Sequence, residues 1–278
     1  MTSRRVVIVA VLIIGGFVAA WRYWSRHHVA AAADDGVTFK RANPDYGRLP
    51  TVFSIQIDGG LTRVPTANEN FPSAFWADNG CSSTLIGDQV LLTARHCVVK
   101  NPNINISLPG HPAVGTCETA SAITGGKSNA DFALCRMDVR VKGIVFETLA
   151  SAADAVKGQD EILLTGWGGS DTQGLPLGTF LMGPATVDGV TGGVVTTTAG
   201  DVWLQEGDSG GAAYRRTQGK RRLVAVNSSV EKNRHVSHAA YLVDALNTIR
   251  TWKMSKRDEN GNLGLWICGL DQNAMCQP

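Results

Sequence analysis

The chain has 278 residues, of which 44% are hydrophobic and 18% charged, and its formal net charge is +2. That length holds one large domain or two small ones with a sizeable core, and no Lys/Arg block is long enough to track a phosphate backbone, which argues against a nucleic-acid partner. Thirty-one glycines and short runs of Thr, Val and Ser suit brief strands joined by turns, so the expected class is all-β.

Taken in chain order, Arg4 and Arg5 precede an uncharged apolar run from Val6 to Trp21 that Arg22 closes. The run is short for a membrane span. Residues 1–21 read as a signal peptide, with Val18 and Ala20 or the run Ala30 to Ala33 offering small residues for cleavage, or as a retained signal anchor in which Arg22, Tyr23, Trp24 and Arg26 sit at the membrane interface. Both readings send the rest of the chain out of the cytoplasm, as a secreted or periplasmic protein or one tethered to the membrane by residues 6–21. Residues 22–50 read as a linker carrying the breakers Asn43, Pro44, Gly47 and Pro50.

The globular domain is expected over 51–253. Its strand candidates are "TVFSIQI", which meets a turn at Asp58, Gly59 and Gly60, "STLIGDQVLLTA" as two strands around Gly87 and Asp88, and then "FALCRM", "EILLTGW", "GVVTTTA", "GAAYRR" and "RLVAVNSS". Their spacing fits a barrel or sandwich. One helix is predicted in "YLVDALNTIRTWK", where Leu242, Ala245, Leu246, Ile249 and Trp252 share a face. The tail, 254–278, has no evident role.

Six cysteines suit an oxidising compartment and fall into three neighbourhoods. Cys81 with Cys97 brackets the His96 segment, Cys117 with Cys135 brackets the Asp131 segment, and Cys268 with Cys276 staples the tail. These neighbour pairs are the expected disulfides, although six cysteines allow fifteen pairings. No C-x-x-C pair or partnered His spacing points to metal.

The strongest local signal is "EGDSGG" at 206–211, a glycine-rich turn that exposes the Ser209 hydroxyl and lets the N–H groups of Gly207 and Ser209 converge as an oxyanion hole. A serine hydroxyl needs a general base within hydrogen-bond reach. His27 and His28 lie in the linker, His111 in a Pro/Gly loop, and His235 and His238 in a polar stretch read as loop. His96, at the end of "VLLTARHC" beside Cys97, remains. Asp131 heads the apolar run "DFALC", where a carboxylate needs a partner such as an imidazole to offset desolvation.

Together these segments resemble the chymotrypsin/trypsin-like serine protease family. "CSSTLIGDQVLLTARHC" is similar to the segment that presents its catalytic His inside a disulfide loop, "NADFALCRM" to its Asp segment, "LLTGWGG" at 163–169 to its Gly-Trp-Gly strand, and "GDSGG" to its nucleophile turn, in the order His, Asp, Ser. The resemblance covers about residues 51–253. It implies two six-stranded antiparallel β-barrels with the site between them, a C-terminal helix, and a serine endopeptidase acting on protein or peptide substrates through His96, Asp131 and Ser209 without metal or organic cofactor. Asp208 would hold the nucleophile loop in shape.

The family pattern also has gaps. No Ile-Val-Gly-Gly type motif precedes the domain. Trp203 stands where trypsin-like members carry the Asp that selects basic side chains, and Gln205 where many carry a Cys, which disfavours cleavage after Arg or Lys. The other pocket wall is expected from Asn227, Ser228 and Ser229. Arg95 replaces a small residue beside His96 and is read as pointing to solvent. The rival readings are a non-catalytic protease homologue acting as a binding module, and a serine esterase, which the order of the three residues argues against.

Overall fold

The computed structural model describes residues 71–278 apart from 109–110, 169–175, 201, 218, 259, 273–274 and 277–278. Before residue 71 it describes only the strands Val37–Thr38, Gln56–Ile57, Gly60–Leu61 and Val64–Pro65. The segment 1–21 and nearly all of 22–50 lie outside the described residues.

The first barrel comprises β1 (Ala74–Trp76), β2 (Ser82–Gly87), β3 (Val90–Thr93), β4 (Asn103–Leu108), β5 (His111–Thr119) and β6 (Ala133–Met137). Their order is β1-β2-β3-β6-β5-β4. The bridge Ala77↔Ile106 brings the two edges together, so this barrel is nearly closed. The second comprises β7 (Glu161–Gly166), β8 (Leu181–Thr191), β9 (Val194–Thr197), β10 (Ala212–Thr217), β11 (Lys220–Glu231) and β12 (Val236–Tyr241). Its order is β7-β10-β11-β12-β9-β8, and β7 pairs with β8 to close the ring. The fold is two six-stranded antiparallel barrels of the chymotrypsin type. A one-turn helix, α1 (Ala120–Ile123), lies between β5 and β6, and α2 (Leu246–Ser255) follows the second barrel.

Alternation along the strands explains why so many are buried on both faces. Leu85, Leu91, Ala133 and Cys135 point into the first barrel, while their neighbours Ile86, Leu92 and Leu134 point out of it and join Leu163, Tyr214, Leu223 and Val226 from the outside of the second. Ile162, Leu164, Ala213 and Val224 fill the second barrel. Three apolar clusters therefore serve two barrels, and the outward one welds them along the cleft.

Two expectations change here. The helix begins at Leu246 rather than Tyr241, because Tyr241 still pairs with Ala225 in the sheet and the Leu242 N–H bonds to the Val224 C=O. The tail is not idle. Leu265, Ile267 and Cys268 are buried, and the Cys268 N–H bonds to Ile86 while its C=O accepts from Leu149, fastening the tail across the first barrel and the connector.

Candidate active site

Each candidate residue arrives on its own element. β3 ends at Thr93 and a 3-10 turn, Arg95–Cys97, follows, with the Cys97 N–H bonded to the Ala94 C=O. The turn lifts His96 out of the barrel wall, where its side chain is 47% exposed. A disulfide joins Cys97 to Cys81 just before β2 and anchors the turn from its far end. Asp131 precedes β6 in the loop after α1, and the Ala120 N–H bonded to the Phe132 C=O holds that loop. Disulfides also join Cys117 to Cys135, opposite each other on β5 and β6, and Cys268 to Cys276.

His96 and Asp131 are bonded twice. The His96 main-chain N–H donates to Oδ1 at 3.0 Å, and Nδ1 lies 2.7 Å from Oδ2. An ionised carboxylate only accepts, so Nδ1 carries a proton, and in the neutral imidazole Nε2 keeps its lone pair. The Ser228 hydroxyl donates to the same Oδ2 at 2.6 Å. Burial by itself would raise the Asp131 carboxyl. The hydrogen bonds from His96 and Ser228 and the His96 charge outweigh it and hold the group at about 2. Arg95 does not simply face solvent: its Nε reaches 3.8 Å from Asp131 Oδ1.

Ser228 owes its position to a β-bulge. Asn227 pairs with Ala239 and Ser229 with His238, so Ser228 is the extra residue of β11. Bulges of this kind re-aim a side chain. The Ser228 hydroxyl meets Asp131, and its C=O accepts the Ser209 hydroxyl at 3.2 Å. Ser228 thus links the two barrels' contributions.

Ser209 sits in a loop braced from below by Asp208. That carboxylate is fully buried and accepts the Gly168 N–H at 2.8 Å and the Gln205 N–H at 2.7 Å. Gly207 has φ of 90° and Gly210 of 85°, values that the absence of a Cβ permits. The N–H groups of Asp208, Gly210 and Gly211 bond to Gln205, Asn227 and Asp208 respectively. Those of Gly207 and Ser209 donate to no acceptor among the described residues.

The remaining sequence candidates separate. Ser229 is exposed on β11. Asn227 is fully buried, and its amide donates to the Thr165 C=O at 2.7 Å, so its side chain braces the second barrel instead of lining a pocket. The half-buried Trp203 ring stacks on His235, centroids 3.7 Å apart and planes within 3°. His238 is not a loop residue: it lies in β12, with Nε2 3.0 Å from Glu231 Oε1 and Nδ1 3.3 Å from the Thr196 hydroxyl. The sulfurs of Cys81 and Cys97 lie near His96 within 4.8 Å, but they are bonded to each other and cannot serve as thiolate ligands.

Sequence reading missed Ser82 as a contact of the loop, and it missed a cavity of about 570 Å³ beside Asp131. Ser128, Gly193, Ser228, Tyr241 and Asp244 line it from four separate stretches of chain. No periodicity or spacing marks such a gathering.

The described residues include no helix long and apolar enough to cross a membrane. Three disulfides are consistent with an extracellular location. No curated protein matches the chain. The family model for trypsin matches residues 60–250, well over half of the chain. The match and the two-barrel fold agree on a serine protease-type domain, and the chain belongs to the trypsin family.

Proposed function

We propose that this protein is a serine endopeptidase in which Ser209 is the nucleophile, His96 the general base, and Asp131 the carboxylate that orients it. The observation that carries the reading is the doubly bonded His96–Asp131 pair, joined through Ser228 to the Ser209 hydroxyl. To react, the Ser209 hydroxyl turns from the Ser228 C=O to His96 Nε2 and attacks a peptide carbonyl as its proton passes to the imidazole. The unbonded N–H groups of Gly207 and Ser209 receive the oxyanion. His96 then protonates the leaving amine, and water repeats the sequence on the acyl-enzyme. Asp131, ionised throughout, stabilises the imidazolium at both steps.

The substrate is a protein or peptide segment in extended form. Beyond Val226, one edge of β11 carries no partner strand among the described residues, so Ser228 to Glu231 can pair with a peptide. Trp203, stacked on His235, supplies no carboxylate to select a basic side chain, which disfavours cleavage after Arg or Lys. The protein works outside the cytoplasm, with residues 1–21 as signal or anchor.

The test is labelling of the purified full chain with a fluorophosphonate, with Ser209→Ala alongside and mass spectrometry of the labelled peptide. The expected result is a label on Ser209, none on Ser209→Ala, and three intact disulfides in both. A wild-type chain that stays unlabelled, with the same disulfides, favours the non-catalytic homologue.

A further inference from the structure

Ser82 opens β2 in the first barrel, yet three of its four hydrogen bonds cross to the second. Its N–H donates to the Ser209 C=O at 2.8 Å. Its hydroxyl donates to the Gly207 C=O at 2.7 Å and accepts the Trp167 N–H at 2.9 Å. The fourth bond stays at home, from the Thr93 hydroxyl to the Ser82 C=O at 2.9 Å. The side chain is fully buried, so no water competes for either hydroxyl contact.

We propose that Ser82 is a positioning residue for the oxyanion-binding loop. Peptide planes turn as units, so holding the Gly207 C=O fixes the plane it shares with the Asp208 N–H, and holding the Ser209 C=O fixes the plane it shares with the Gly210 N–H. These two flank the plane that carries the Ser209 N–H, and the first adjoins, at Gly207 with its φ of 90° and no Cβ, the plane that carries the Gly207 N–H. The Ser82 hydroxyl grips the Gly207 C=O, and its N–H grips the Ser209 C=O. With the carbonyls of residues 207 and 209 held by the first barrel, the loop keeps the conformation in which the N–H groups of Gly207 and Ser209 have no protein acceptor and are available to substrate. The Trp167 N–H orients the hydroxyl by filling its acceptor side, so its proton is directed to Gly207. Removing the hydroxyl orphans the buried Gly207 carbonyl and the part-buried Trp167 N–H together, and a swivel of the Gly207 peptide toward another donor becomes favourable.

This inference rests on the proposed function, and its test has two readouts. In the first, Ser82→Ala and Ser82→Thr are compared with wild type for the rate of fluorophosphonate labelling at Ser209 and for kcat and KM on a casein-derived peptide. Ser82→Ala should label and turn over about tenfold more slowly with KM within twofold, because a displaced oxyanion donor acts on the transition state alone. Ser82→Thr, which keeps the hydroxyl, should recover most of the rate. In the second, amide hydrogen exchange across residues 205–211 should speed up in Ser82→Ala and remain near wild type in Ser82→Thr, whether or not the chain is catalytic. If wild type is unlabelled, the functional reading fails and exchange alone judges Ser82. Unchanged exchange in Ser82→Ala, or an unchanged labelling rate in an active chain, overturns the proposal. Should Ser82→Ala not fold, Ser82→Gly takes its place with the same outcomes.

Discussion

Asp131 gathers the candidate site, since one carboxylate accepts two N–H groups of His96 and the Ser228 hydroxyl. Its folded value of about 2 lies below the ordinary 3.8, so it contributes stability that is fully present above the unfolded value and lost as pH falls through about 2. The contribution is on the order of 2 kcal/mol. Ser228→Ala removes one donor, so the folded value should rise and the loss should begin at higher pH. Urea midpoints between pH 5 and pH 2, each taken relative to Asp131→Asn, check both the size and the shift. The same variant should lower kcat by about tenfold, since a charge-assisted hydrogen bond that steadies the imidazolium's partner is gone. The sequence allowed His96, Asp131 and Ser209 to be proposed because the chemistry constrains the residue types it needs. Ser228 was expected only as a pocket wall, since a bulge that re-aims one side chain leaves no mark in composition or period.

At the scale of elements, the Ser209 loop depends on close approach between barrels. Gly210 combines φ of 85° with a backbone so near β2 that an added Cβ would lie 2.1 Å from the Ser82 C=O and 2.3 Å from the Thr93 hydroxyl. Gly210→Ala should therefore cost about 3 kcal/mol or more, well above an ordinary surface change, with Ser209 labelling lost in the fraction that folds. Chemical denaturation and fluorophosphonate labelling of the same samples separate the two effects. Strands with clear signals, such as "STLIGDQVLLTA" and "RLVAVNSS", were readable as β2, β3 and β11. β8 was not, because Gly183, Pro184 and Gly189 look like breakers, yet the ring closes through it with Pro184 opposite Leu163. β12, "VSHAAY", is inward and outward buried by turns and shows no polar alternation to read.

Across the whole molecule, the two barrels are joined by apolar contact and by the bonds of Ser82 and Ser228, and a buried ion pair ties the second barrel to the connector. The Arg221 guanidinium, on β11, meets Glu147 of the connector at 2.6 and 2.9 Å. It stacks over the ring of Phe71 at 4.3 Å, and the Ser73 hydroxyl donates to Glu147 at 3.2 Å. Arg221 and Glu147 are both almost wholly buried. Arg221→Met should destabilise by about 3–5 kcal/mol because it strands the Glu147 charge, while adding Glu147→Leu should restore most of the loss. A double-mutant cycle in guanidinium chloride measures that coupling. The sequence by itself determined the all-β class, the family resemblance and the three residues of the proposed triad, because backbone period and reactive side chains are local properties. Only the tertiary structure decided that Ser228 reaches Asp131, that Ser82 grips the Gly207 loop, that Asn227 turns inward, and that the tail closes over the first barrel. Those contacts join residues as far apart in the chain as Ile86 and Cys268, and distance along the chain says nothing about them until the barrels pack.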